Sequence, residues 1–410
     1  MSGLAVGDPA ALGFDPQRLA AIDSFLDREY VQAGRYPGYT LLVSRGGQIA
    51  HLSCQNYAED AIFRFFSMSK PITSVALLSL YEQGLCKLGD PVSDFIPAFA
   101  DLRVFEDGTA GNYTTRFPER EMTVQDLLTH TSGLTYGFMG RHPVDAIYRK
   151  RGIDRLAGNT LEDMCTLLAD VPLLFSPGTQ WSYSVATDVC GRLVEIISGQ
   201  SLDEFFQQNI FDPLGMVDTG FWVDDDKADR LVSNYAEPSL SPFGVPEGVT
   251  GKMAEIDDAS ADSIYRSKPD FLSGGGGLVS TVADYHRFTQ MLLRGGELDG
   301  HRVIGRKTLD YATTNHLPTG GDLASMGQAV FSETNYNGIG FGLGFSVMLD
   351  PAKAQVTSSP GEYGWGGAAS TVFWVDPAED LAVIGLTQLM PSSAYPIRTE
   401  LKAMVYGALT

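Results

Sequence analysis

The chain has few cysteines and no cysteine pattern that would organise a fold. Its four cysteines, Cys54, Cys86, Cys165 and Cys190, are scattered through 410 residues without Cys-x-x-Cys spacing or neighbouring histidine pairs. Disulfide frameworks and structural metal sites use closely and regularly spaced residues. We therefore expect buried free thiols, with no metal and no disulfide.

Basic runs and long apolar runs are also missing. The formal net charge is −21, and no cluster of lysine and arginine reverses it locally. An acidic surface repels phosphate groups, which excludes nucleic acid and anionic membranes as partners. The first residues lack a basic segment followed by an apolar one, and no later apolar run reaches membrane-spanning length. We expect a cytoplasmic protein that does not bind membranes.

Two familiar motifs are absent as well. No Gly-x-Ser-x-Gly occurs, so nothing supports a nucleophile elbow served by His130, His142 or His286. The four glycines at 274–277 are not followed by Gly-Lys-Ser/Thr, which excludes a phosphate-binding loop. A close crossing of two backbones is the better interpretation of the glycines.

What is present is a Ser-x-x-Lys motif, Ser67 to Lys70, at the start of an apolar helical pattern that extends to Tyr81 and ends at Gly84. A spacing of three places the hydroxyl and the amine on one helix face. A serine hydroxyl is a weak nucleophile until a neighbouring base removes its proton, and Ser-Lys pairs provide such a base. Ser67 is therefore a candidate nucleophile.

The flanking patterns predict the organisation of the chain. With 44% hydrophobic residues it can bury a large core. An amphipathic helix and a glycine-turn hairpin precede Ser67, whereas three strands (FGLGFSVML, ASTVFWVD, DLAVIGLTQL) and a helix close the chain. The part between them is mostly helical in pattern. We predict a discontinuous α/β domain, residues 1–95 and 270–410, and a mostly helical inserted domain, residues 96–269.

Four segments together resemble the serine β-lactamase and penicillin-binding-protein superfamily, and most closely its family VIII carboxylesterases. The resemblance covers nearly the whole chain and rests on FRFFSMSKPIT, LLTHTSGL, FSPGTQWSYSVATDVCGRLVE and GGGGLVSTVADYHRF. It implies an α+β, β-lactamase-like fold, in which an antiparallel sheet is flanked by helices and carries the helical insertion. It also implies an acyl-enzyme mechanism without cofactor or metal.

The same resemblance implies roles for particular residues. Ser67 would be the nucleophile, and the Lys70–Tyr183 pair would be the base, with the distribution of protons between the two left open. The backbone N–H groups of Ser67 and Ala368 would form the oxyanion hole. The segment Trp365-Gly366-Gly367, which precedes a strand, would bind the substrate.

Two departures from the β-lactamases bear on the substrate. Trp365-Gly366-Gly367 stands where they have Lys-Thr-Gly, and Tyr183-Ser184-Val185 stands where they have Tyr-Ala-Asn. The missing lysine removes an anchor for a carboxylate, and the missing asparagine removes an amide contact. We expect a small-molecule carboxylic ester, with short acyl chains, as the substrate.

Several related functions stay open at this point. An acyltransferase, a weak β-lactamase or a D-amino acid peptidase would use the same acyl-enzyme, and a non-catalytic binding protein could share the fold. The aromatic residues Tyr136, Phe138 and Tyr148 follow LLTHTSGL and could line an acyl pocket. Surface loop positions explain them equally well, so we do not count them among the candidate site residues. The sequence does not indicate an oligomeric state.

Overall fold

A seven-stranded antiparallel sheet joins the two ends of the chain. The computed structural model describes residues 4–153, 158–240, 253–258, 260–327 and 336–410. The strands in these ranges are β1 (Tyr39–Arg45), β2 (Gln48–Gln55), β3 (Phe63–Arg64), β4 (Val104–Thr109), β5 (Asn112–Arg116), β6 (Asn234–Ala236), β7 (Ala254–Asp257), β8 (Val279–Ser280), β9 (Glu297–Leu298), β10 (His301–Arg302), β11 (Ile339–Phe341), β12 (Ser346–Met348), β13 (Tyr363–Gly366), β14 (Val372–Asp376), β15 (Leu381–Leu386) and β16 (Leu389–Met390). The main sheet has the order β11-β12-β13-β14-β15-β1-β2.

The amino-terminal hairpin completes this sheet. Strands β1 and β2 are joined by Gly46 and Gly47, whose φ angles of 60° and 77° suit glycine, as the sequence predicts. Strand β1 then pairs with β15 in antiparallel register, from Thr40 opposite Leu386 to Arg45 opposite Leu381. The carboxy-terminal strands are thereby continuous with the hairpin.

The helices lie on both faces of the sheet and in the middle of the chain. They are α1 (Pro16–Leu26), α2 (Ser69–Glu82), α3 (Val124–Leu128), α4 (Pro143–Arg151), α5 (Leu161–Ala169), α6 (Ala186–Ser198), α7 (Leu202–Phe206), α8 (Asp212–Leu214), α9 (Val282–Leu293), α10 (Arg306–Ala312), α11 (Leu323–Met326), α12 (Pro351–Ala354) and α13 (Ile397–Gly407). Local capping explains several of their first residues. Asp15 caps α1, and Thr123 forms a capping box with Asp126 at α3. In the described ranges, no helix has the length and apolar character needed to cross a membrane.

The side chains along each strand point alternately to the two faces of the sheet, and they contribute to two separate layers of the core. Leu41 and Val43 of β1 and Trp374 of β14 are buried with α1 and α13 on one face. Their neighbours Leu42 and Phe373 belong to the larger cluster that contains α2 and α9 on the other face. Successive side chains of a strand point to opposite faces, so each strand serves both layers. The sheet is therefore covered by helices on both sides.

The segment FGLGFSVML differs from its prediction as a single strand. It forms the end of β11 and the whole of β12, which pair as a hairpin. Gly342 N donates to Phe345 O over 2.7 Å, and Gly344 has φ 98°, so the glycines make the turn. The segment Trp365-Gly366-Gly367 precedes β14, as predicted, and its first two residues also end β13.

The predicted domain boundaries stay a prediction. Strand pairing links the two predicted parts of the chain. Strand β6 pairs in parallel with β16 and antiparallel with β7, which gives a three-stranded sheet. Strands β6 and β7 fall in the predicted insertion 96–269, whereas β16 falls in the closing part. The helices α3 to α8 do lie within the predicted insertion.

The cysteines are free thiols, as the sequence predicts. Cys86, Cys165 and Cys190 are buried, and Cys54 is partly buried. Burial raises the pKa of Cys86 to about 11 and that of Cys165 to about 12. These thiols are protonated at neutral pH and are poor nucleophiles.

A buried arginine joins β3 to the segment before β6 and to the end of β7. The side chain of Arg64 is completely buried, and its Nε donates to Asp257 Oδ2 over 2.6 Å. Its other nitrogen atoms donate to the carbonyl oxygens of Val232 and of Asp258, the latter over 2.8 Å. The guanidinium group therefore joins two separate segments of the chain to β3, one at Val232 and one at Asp257 and Asp258.

We expect Arg64→Met to lower the free energy of unfolding by about 3 kcal/mol, because it leaves the Asp257 carboxylate and two carbonyl groups without their donor. The measurement is urea denaturation followed by circular dichroism. The control is Arg28→Met, since Arg28 is 63% exposed and pairs with its neighbour Glu29 at the surface. Equal effects of the two substitutions would contradict the prediction.

Candidate active site

The candidate nucleophile lies in a tight turn that leads into α2. Residues Phe66–Met68 form one turn of 3₁₀ helix, and the α-helix begins at Ser69, two residues later than predicted. Such turns are common at the ends of α-helices. Phe66 has φ 45°, a left-handed conformation that is rare for an aromatic residue. Backbone strain of this kind is concentrated at functional sites.

The structure brings the three predicted catalytic side chains together. The Tyr183 hydroxyl donates to Ser67 Oγ over 2.5 Å, and Lys70 Nζ donates to the same oxygen over 3.3 Å. Ser67 and Lys70 come from the start of α2, whereas Tyr183 comes from the segment before α6. A serine hydroxyl thus has an amine and a phenol within reach of its proton.

Lys70 is buried among neutral oxygen atoms. Its side chain is 2% exposed, and Nζ also donates to the Tyr136 hydroxyl over 3.0 Å and to Gly275 O over 2.6 Å. These bonds and the one to Ser67 match the three donors of an ammonium group. Nζ also lies 4.6 Å from the centre of the Tyr183 ring. This distance lies within the range of a cation–π contact.

The glycine-rich segment forms the wall behind Lys70. Gly275 N donates to Asp188 Oδ1 over 2.9 Å, and Ser273 Oγ donates to the same oxygen over 2.6 Å. A Cβ atom on Gly275 would lie only 2.6 Å from the other carboxylate oxygen. Thr73 Oγ1 of α2 donates to Gly274 O over 2.7 Å. A Cβ atom on Gly274 would lie 3.1 Å from Thr187 O, so the segment crosses close to the backbone of α6, as predicted, and its Gly275 carbonyl accepts from Lys70.

Tyr136 belongs to the site, although the sequence did not place it there. Its hydroxyl contacts Lys70, and its ring stacks on Phe138 with centroids 4.7 Å apart. Phe138 lines the cavity beside Ser67, whereas Tyr148 is buried in the core. The available signal was the position of Tyr136 two residues after LLTHTSGL. That signal did not distinguish a contact with Lys70 from a surface position.

The Trp365 segment supports the site from the other side. Trp365 Nε1 donates to the Tyr183 hydroxyl over 3.4 Å, and its ring packs edge-on against Phe341 with centroids 5.3 Å apart. Trp365 is only 9% exposed. Its side chain contacts Tyr183 and also lines the cavity. A Cβ atom on Gly367 would lie 2.3 Å from Phe65 O. Glycine there lets β13 approach the turn that carries Ser67.

A cavity of about 330 Å³ opens in front of Ser67. Ser67, Tyr183 and the residues 364–368 line it, so the two residues that carry the predicted oxyanion donors border the same space. One wall is apolar and is formed by Phe138, Ile339, Met348, Ala354 and Val356. Polar residues also line the cavity, among them Ser392, Arg398, Thr399 and Lys402. The volume suits a small molecule with an apolar portion.

The histidine residues do not supply a base for Ser67. His130 is fully buried and its Nδ1 lies 3.1 Å from Ser184 Oγ. Burial, reinforced by the nearby charge of Lys70, lowers the pKa of His130 well below its usual range. It is therefore a neutral packing residue beneath Tyr183, with ring centroids 5.1 Å apart. In the hydrogen bonds of the described residues, Ser67 Oγ is shared by Lys70 and Tyr183.

A serine hydroxyl flanked by a buried amine and a phenol, at the mouth of a cavity, defines the serine hydrolase class. The Beta-lactamase family model matches residues 26–405. The chain belongs to the Beta-lactamase family, and the expected α+β, β-lactamase-like fold is confirmed.

Three similar proteins narrow the class. Esterase EstB of Burkholderia gladioli is 31% identical over 423 residues, which cover 98% of each chain. The structure of EstCE1, described as a hydrolase with promiscuous acyltransferase activity, has a TM-score of 0.77 and 27% identity and covers 95% of this chain and 99% of its own. Simvastatin synthase from Aspergillus terreus (LovD6 mutant) has a TM-score of 0.77 and 23% identity, and the match covers 99% of each chain. This similarity shows that the two proteins share a fold. The enzyme is a hydrolase or acyltransferase on this fold.

We expect Tyr136→Phe to lower kcat by about tenfold to a hundredfold, because a buried ammonium that loses one acceptor costs about 1.5–3 kcal/mol. Steady-state hydrolysis of a p-nitrophenyl ester provides the measurement. The matched control is Tyr148→Phe, another buried tyrosine of the same region. If both variants keep wild-type kcat, the Tyr136 contact has no part in turnover.

Proposed function

We propose that the enzyme is a serine carboxylesterase that hydrolyses short-chain carboxylic esters through an acyl-enzyme on Ser67. The observation that carries this proposal is the position of Ser67 Oγ, which lies between Tyr183 OH and Lys70 Nζ and faces the cavity. The esterase relative EstB supports the choice of substrate class. No cofactor or metal has a role in this proposal.

In the acylation step, Ser67 Oγ attacks the ester carbonyl carbon and its proton passes to the Lys70–Tyr183 pair. The carbonyl oxygen becomes negatively charged, and the N–H groups of Ser67 and Ala368 would stabilise it. Two such donors matter, since the loss of one commonly costs about 2.7–4 kcal/mol. When the tetrahedral intermediate collapses, the pair returns the proton to the leaving alcohol.

In the deacylation step, water attacks the acyl carbon while the pair removes its proton. The bond from the acyl carbon to Ser67 Oγ then breaks, the pair returns the proton to Oγ, and the acid is released. An alcohol that replaces water at this point would receive the acyl group instead. Acyl transfer is therefore the second candidate function, and the likeness to EstCE1, a hydrolase with promiscuous acyltransferase activity, favours it. The two functions differ only in the acceptor.

The geometry gives less support to a β-lactamase, a D-amino acid peptidase or a binding protein. A β-lactam or a D-amino acid peptide carries a carboxylate, and the indole of Trp365 stands where the β-lactamases place a lysine. A non-catalytic binding protein would not need a hydroxyl held by two proton-carrying groups. We also propose a cytoplasmic location, with which the four free thiols are consistent.

We expect Ser67→Ala to abolish ester hydrolysis and covalent labelling by a phosphonate. The matched control is Ser69→Ala, because Ser69 Oγ is also buried but accepts a hydrogen bond from Leu278 N over 3.1 Å. That variant should lose about 1 kcal/mol of stability while keeping most of its activity. Mass spectrometry of the labelled peptide identifies the serine, and a label on any serine other than Ser67 would refute the assignment.

We expect kcat/KM for p-nitrophenyl butyrate to exceed that for nitrocefin by at least about tenfold. The carboxylate of nitrocefin would have to be desolvated beside Trp365 without the lysine anchor, which is worth about 1.5–3 kcal/mol. Both substrates are measured on the same preparation, with Ser67→Ala as the background. A nitrocefin value equal to or above the ester value would make the enzyme a β-lactamase.

A further inference from the structure

A five-residue turn carries the second predicted oxyanion donor. Residues 367–371 connect β13 to β14, and Gly367 N closes the turn by donating to Thr371 O over 2.9 Å. Ala368 lies within it and lines the cavity. Ser370 has φ 63°, a left-handed conformation that costs free energy for a residue with a side chain. Contacts with the rest of the fold must therefore stabilise this turn.

Arg398 of α13 supplies such contacts. Its Nη2 donates to Gly367 O over 3.0 Å and to Thr371 O over 3.2 Å, the first and last residues of the turn. A Cβ atom on Gly366 would lie 2.5 Å from the guanidinium group. Glycine at this position therefore lets the arginine approach the backbone.

The bond to Gly367 O fixes the direction of the neighbouring N–H group. The carbonyl of Gly367 and the N–H of Ala368 belong to one planar peptide unit, in which the two bonds point in opposite directions. A guanidinium group that holds the oxygen on one side therefore aims the hydrogen to the other side. Its positive charge also draws electrons towards the oxygen, which makes the N–H a stronger donor.

We propose that Arg398 is a positioning residue, which orients and polarises the Ala368 N–H for the oxyanion of the reaction. This inference rests on the proposed acyl-enzyme mechanism. Arginine suits the task because Nη2 carries two N–H bonds in the fixed plane of the guanidinium group, one for each carbonyl oxygen, and the group stays charged. A lysine would offer a single ammonium centre on a flexible chain and would hold the turn less firmly.

The test compares Arg398→Ala and Arg398→Lys with wild type in the hydrolysis of p-nitrophenyl butyrate. We expect kcat of the alanine variant to fall by about 10- to 100-fold, with KM changed by less than about threefold, since the contact acts in the transition state. Affinity for an aryl boronic acid, whose adduct with Ser67 places an oxygen in the same hole, should fall in parallel. Guanidinium chloride at about 50 mM should restore part of kcat in the alanine variant but not in wild type.

The matched control is Arg45→Ala. Arg45 also holds backbone carbonyls, donating to Leu12 O and Gly13 O over 3.3 Å and to Glu379 O over 2.9 Å, but it does not line the cavity. The Arg45→Ala substitution should lower stability. It should not lower kcat, and guanidinium chloride should not raise kcat in this variant.

Either of two results overturns the proposal: an Arg398→Ala enzyme with wild-type kcat, or a fall in kcat that guanidinium does not rescue and that Arg45→Ala reproduces. If Arg398→Ala does not fold, Arg398→Lys provides the test: the proposal predicts that its kcat falls while its KM stays nearly unchanged. A wild-type protein that hydrolyses no ester and takes no phosphonate label would instead refute the proposed function.

Discussion

The burial of the Lys70 amine is the constraint on which the site depends. Removing a polar group from water costs free energy unless hydrogen bonds replace the lost solvent. Those bonds come from Ser67, Tyr136 and Gly275, which belong to three separate segments of the chain. Helix α2, the loop after α3 and the glycine segment must therefore meet at one point. Asp188 and Thr73 hold the glycine segment there, so residues outside the reaction are needed for its geometry.

Local chemistry explains the parts of the structure that the sequence predicts well. The spacing of Ser67 and Lys70 acts within one helical turn, and the caps at Asp15 and Thr123 act within three residues. The turn at Gly46 likewise depends on its own backbone angles. Such features need no knowledge of the remaining chain. The placement of Tyr183 rested on resemblance, and the structure agrees with it.

Features that depend on distant partners were not predictable in the same way. Tyr136 became part of the site only because the fold places Lys70 beside its hydroxyl. The hairpin within FGLGFSVML depends on Gly344, whose Cβ position is occupied by Ser74 of α2. The role proposed for Arg398 depends on a turn some thirty residues earlier in the chain. In each case the decisive contact is absent from the local pattern.

The pairing of β1 with β15 has a consequence for the order of events during synthesis. Thr40 finds its partner Leu386 only after the long stretch of chain between the two residues has been made. Until then the hairpin presents an open strand edge, and such edges are prone to pair with other chains. Folding dominated by distant pairs is slow, and large chains pass through intermediates. We therefore expect chaperones and a low growth temperature to increase the yield of folded enzyme, even if the folded enzyme itself is stable.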